Sequence, residues 1–74
     1  MDDKTLKKYF DMLTAAWKLL RNFKDMKTQE DIERLHYAAK KIHRKYHCRF
    51  MLDLIAAVCN ELSRRAGIDE KWNM

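Results

Sequence analysis

Seventy-four residues, 47% of them hydrophobic and carrying a net charge of +5, describe one small globular domain rather than a disordered tail. Proline is absent and Gly67 is the single glycine, which excludes a sheet protein, whose tight turns need those residues at fixed positions. The abundant Lys, Leu, Ala, Met, Glu and Arg favour helices, so the chain is predicted to be all-α, a small three-helix bundle over residues 1–74. At this size folding buries only about 60% of the unfolded surface, and the margin of stability is thin.

The N-terminal Met1-Asp2-Asp3-Lys4 has no apolar run behind it and predicts no secretory leader. The first helix is predicted over about residues 3–23, with Asp2 or Asp3 at its start to cap free N–H groups. Leu6, Phe10, Leu13, Trp17 and Leu20 recur at 4-3-4-3 spacing, the seam of a helix that turns this row toward its neighbours. Tyr9, Ala16 and Phe23 widen that stripe.

Asn22 to Thr28 loses the period and reads as a connection. Thr28, followed by Gln29, Glu30 and Asp31, is a helix-start signal that combines a hydroxyl cap with first-turn acids. The second helix, about 29–46, carries Ile32, Leu35, Ala39, Ile42 and Tyr46 as its inward row. A change of apolar phase after Tyr46 predicts a short turn before the third helix at about 50–66; one long, bent, dimerising helix is the alternative.

Met51, Leu52, Leu54, Ile55, Ala56, Ala57, Val58, Cys59 and Leu62 make the third helix apolar nearly all round. It is therefore expected to be central in the bundle or shared in a dimer. Arg64 and Arg65 suit its C-terminal dipole, and Gly67-Ile68 predicts a left-handed cap with a hydrophobic contact. A flexible tail is predicted over 68–74, with Trp72 folded back or exposed. No apolar stretch approaches the 20 or so residues that span a bilayer, so no membrane role is expected.

Of the 16 basic residues, Lys40, Lys41, Arg44, Lys45 and Arg49 crowd into ten positions without an acid, while the other 11 match the 11 acidic side chains. With Tyr37 they form a basic strip bordered by an aromatic ring, the pattern of a phosphate-binding surface. A helix-turn-helix reader does not follow from it. In that motif the second helix presents basic and amide groups to the groove. Here the third helix offers Asp53, Asn60, Glu61 and Ser63 on an apolar surface, so backbone contact is the nucleic-acid reading.

His43 and His47 share one helical face and Cys48 adjoins them, which makes these three the weak candidates for a metal. Only one such block exists and Lys40, Arg44 and Lys45 surround it with positive charge, so no metal site and no cofactor is predicted. Cys48 with His47 or His43 could be drawn as a nucleophile and base. No Gly-rich loop, carboxylate pair or phosphate cradle accompanies them, and no enzyme is predicted. Cys48 and Cys59 on one helix would stand roughly 16 Å apart, beyond the about 7 Å a disulfide tolerates. Two free thiols suit a reducing, cytoplasmic setting.

Tyr9, Trp17-Lys18-Leu19-Leu20 and Phe23, then Lys45-Tyr46 ahead of Phe50, then Asp53-Leu54, Ala57-Val58 and Glu61-Leu62 together resemble small helical proteins of prophages and conjugative elements in gut Firmicutes. No activity attaches to that group. The resemblance implies a cytoplasmic accessory protein of a mobile element that acts by binding. Five methionines and the aromatics Tyr9, Phe23, Tyr37 and Trp72 add surplus apolar surface of the kind that marks an interface. The expected function is a non-enzymatic protein-interaction module, with homodimerisation as one form. Phosphate-backbone binding through the strip Tyr37, Lys40, Lys41, Arg44, Lys45 and Arg49 is the second reading.

Overall fold

The computed structural model describes residues 1–67; Ile68, Asp69 and Trp72, and with them the tail expectations, lie outside the described residues. Three helices form an all-α bundle: α1 (Asp3–Asn22), α2 (Gln29–Lys45) and α3 (Arg49–Arg65). Each start has a local cause. Asp2 caps α1 by accepting from the Thr5 N–H at 2.8 Å. Thr28 and Asp31 form a reciprocal capping box on α2, in which Thr28 Oγ1 accepts from the Asp31 N–H at 3.1 Å. Asp31 Oδ2 in turn accepts from the N–H groups of Lys27 and Thr28. Cys48 stands at the N-cap of α3 and makes no side-chain capping bond.

The three helix ends differ in kind. α1 closes at Phe23, and Met26 N–H returns to the Phe23 carbonyl at 3.1 Å, burying Met26 under the connection. α2 stops at Tyr46, whose N–H still reaches the Ile42 carbonyl at 3.0 Å, and the chain then extends to Cys48. This is the turn that the phase change predicts. Gly67 adopts φ +74° after α3, the left-handed geometry that glycine takes at least cost.

The core is drawn from all three helices, with Leu35, Met51, Ile55 and Cys59 fully enclosed and Ala39 beside them. α3 packs on both α1 and α2 and has its broadest interface with α1, so it is the central helix. On α2 the inward row is the predicted one: Ile32, Leu35 and Ala39 are buried, Ile42 and Tyr46 half-buried.

α1 departs from the sequence reading. Its buried face is Met12, Ala16 and Leu19, flanked by half-buried Tyr9, Leu20 and Phe23. The row expected inside is outside: Leu6, Phe10, Leu13 and Trp17 are 57, 61, 49 and 56% exposed. The helix carries two apolar rows of equal spacing, since Met12, Ala16, Leu19 and Phe23 also recur at 4-3-4. The row with the smaller residues wins because Ala16, like Ala39 on α2, lets helix backbones approach closely. Trp17 in that place would hold α3 away. The expected apolar surplus of α3 likewise resolves differently, because its large side chains are buried or half-buried apart from Phe50, whose ring meets Tyr9 edge-on at 4.9 Å. The excess apolar surface therefore belongs to α1.

Candidate interaction surfaces

Three surfaces carry the chemistry that the chain displays. The first is the α1 stripe. Leu6, Phe10, Leu13 and Trp17 occupy one side of the helix over twelve positions, turned well away from the buried row at about 100° per residue. Two cations lean over its aromatics, with Arg21 4.8 Å from the Trp17 ring and Lys7 5.5 Å from that of Phe10. Lys7 also pairs with Asp11 at 2.6 Å. Lone exposed apolar residues are ordinary on a soluble protein, but four in one continuous row are not.

The second surface is the solvent face of α2. Tyr37, Lys40, Lys41, Arg44 and Lys45 are all exposed, and none of the four cations joins an ion pair among the described residues. Lys41 Nζ lies 5.8 Å from the Tyr37 ring and Lys45 Nζ 5.4 Å from that of Tyr46. The predicted strip is shortened at one end. Arg49 sits beyond the turn, on the first residue of α3, where its Nε donates to Asp53 Oδ1 at 3.0 Å. An arginine already held by a carboxylate four residues on contributes less to an anion-binding face.

The third surface joins the other two. A groove of about 540 Å³ runs between α1 and α2, with Leu19, Phe23, Ile42 and Tyr46 among its apolar residues and Phe10 at its edge. Lys18 from α1 and Lys41 and Lys45 from α2 stand along it, against Asp11 as the one acid. Its character is an apolar trough with a basic rim.

The histidine and cysteine candidates do not converge. His43 and His47 lie together, ring centroids 4.7 Å apart and tilted by 30°. Cys48 turns the other way and its Sγ contacts Met12 Sδ at 3.4 Å. No hydrogen bond joins Cys48 to either ring, and no cluster of three or more His, Cys, Asp or Glu able to hold a metal occurs among the described residues. Cys59 is enclosed in the core, and burial pushes its thiol pKa up to about 12, so it is an inert packing residue. Both cysteines are free. No described helix is long and apolar enough to cross a membrane.

The α1 stripe is the feature that sequence reasoning misplaced. The signal was present as the second 4-3-4 row, Met12 to Phe23, which makes α1 apolar over more surface than two neighbouring helices can cover. No known protein family, curated protein or solved structure matches the chain.

Proposed function

We propose that this chain is a non-enzymatic protein-interaction module, a cytoplasmic accessory protein of a phage or mobile element that acts by binding a protein partner. One observation carries the reading: Leu6, Phe10, Leu13 and Trp17 form an uncovered apolar row on a helix whose other face already supplies the core. Solvent exposure of such a row opposes solubility, and a partner relieves it. The basic face of α2 is the electrostatic element, steering an acidic partner toward the groove at the edge of the stripe. A photo-crosslinking residue at Leu13 tests this directly. A discrete protein adduct, lost when Trp17 is replaced by Glu, is the expected result; an absence of any protein adduct, homomeric or heteromeric, ends the reading.

A second reading rests on the four cations of α2 that join no ion pair among the described residues. Lys40, Lys41, Arg44 and Lys45 together can neutralise about four phosphates, so affinity for duplex DNA would fall with a log–log salt slope of about −3.6. The double variant Lys41→Glu with Arg44→Glu would abolish retention. A protein that already passes through a DNA column at about 50 mM salt has no such activity.

A further inference from the structure

The groove between α1 and α2 takes none of its lining from α3, so it lies outside the three-helix contact. It follows α1 from Phe10 to Phe23, a run of about 20 Å at the helical rise. Leu19, Phe23 and Ile42 give it an apolar floor. Thr14, Ala15 and Ala38 add side chains small enough to let another helix backbone come close.

Both banks of the groove are basic. Lys18 stands on the α1 bank, while Lys41 and Lys45 stand on the α2 bank, about 6 Å apart along the axis. Lys45 Nζ lies 5.4 Å from the ring of Tyr46, itself a lining residue. None of these three lysines joins an ion pair among the described residues. The one acid in the lining, Asp11, is already engaged by Lys7 at 2.6 Å. Just past the Phe23 end, the charges of Lys24 and Asp25 offset each other. The rim is therefore net positive after its acids are counted. A single-headed amphiphile brings one carboxylate, which cannot serve both banks. A nucleic acid meets the lysines but sets phosphate and sugar against the apolar floor. An amphipathic helix with acids along both edges of its apolar face matches every feature. Carboxylates four residues apart on one edge meet Lys41 and Lys45, and a carboxylate on the other edge meets Lys18.

We propose that the α1–α2 groove receives an acidic amphipathic helix of a protein partner, seated as the fourth member of a bundle. The proposal rests on the protein-interaction reading and names the partner's chemistry and its seat. The probe is a synthetic helical peptide of about 18 residues, with leucines on one face and glutamates along both edges of that face. Its control has the same composition in scrambled order. At about 0.15 M salt the probe should bind saturably and shift the amide NMR signals of Ala15, Leu19, Ala38 and Ile42, and the control should do neither. Ala38→Trp fills the groove, and Lys41→Glu with Lys45→Glu reverses one bank. Each should weaken binding at least about ten-fold with the helical circular dichroism retained. If Ala38→Trp loses that signal, the exposed lysine pair decides. The charge-reversed variant should in turn take up a probe carrying lysines along one edge. Trp17→Ala, outside the groove lining, should leave binding unchanged. Absence of saturable binding, equal binding of the scrambled control, or indifference to the charge reversal would each overturn the proposal. So would phosphatidylglycerol vesicles or a DNA duplex shifting the same four signals at lower concentration than the probe. If the probe fails while the Leu13 crosslink still reports a protein adduct, the interaction module stands with the stripe as its contact. If both fail, both readings fall.

Discussion

Cys48 and Cys59 belong to opposite environments, and each makes a separable prediction. Cys48 fills an N-cap position without using it: α3 begins with no side-chain capping bond and no acid in its first turn. Cys48→Ser supplies a hydroxyl acceptor to those free N–H groups and should raise stability by about 0.5–1 kcal/mol, read as a higher urea midpoint at unchanged slope. Cys59 acts through proton linkage. Burial raises its folded pKa from 9.0 to about 12, so the unfolded thiol ionises first. The stabilising effect of keeping it neutral is complete below pH 9 and is lost as pH climbs toward about 12, at up to about 1.4 kcal/mol per pH unit. Comparing wild type with Cys59→Ala isolates that loss from other alkaline titrations; parallel pH profiles would refute it. Asp31 works in the other direction. Hydrogen bonds from the Lys27 and Thr28 N–H groups hold its carboxyl below the ordinary range, so its contribution is present above pH 3.8 and disappears on acidification through its folded pKa. The Thr28 cap could be read from four consecutive residues because it is local chemistry. The idle cap at Cys48 could not, since it depends on where α3 starts.

Helix by helix, the success of the sequence reading follows from how many apolar rows each one carries. α2 has a single row, Ile32 to Tyr46, and the structure buries or half-buries every member. α1 has two rows of identical spacing, and periodicity cannot choose between them; the choice comes from the fit of Ala16 and Met12 against α3. The consequence is measurable in monomer at micromolar concentration. Leu13→Gln, on the discarded row, should change stability by less than about 0.5 kcal/mol, whereas Leu35→Ala, on the enclosed row of α2, should cost about 2–5 kcal/mol. Equal losses would place the stripe in the core. The basic strip shows the same limit at a helix boundary. Arg49 is continuous with Lys45 in sequence but lies across the turn on α3, tied to Asp53.

For the whole molecule, the number of helices, their order and the central place of α3 all follow from composition and period. What remained illegible was assembly, because surplus apolar surface can be detected in a sequence but not assigned to a helix before the bundle closes. The turn at Tyr46–Cys48 has a related origin. It contains neither glycine nor proline, and no non-glycine residue there has positive φ. Nothing in its covalent structure forbids a helix. From outside, α1 makes two contacts beside the bend, Tyr9 on Phe50 and Met12 on Cys48. If those contacts set the bend, α2 and α3 without α1 would run on as one rod. A peptide of residues 29–65 should therefore show uninterrupted helical chemical shifts through Tyr46, His47 and Cys48, with the break restored on adding a peptide of residues 1–23. A break already present in the isolated 29–65 fragment would show that the hinge is encoded locally after all.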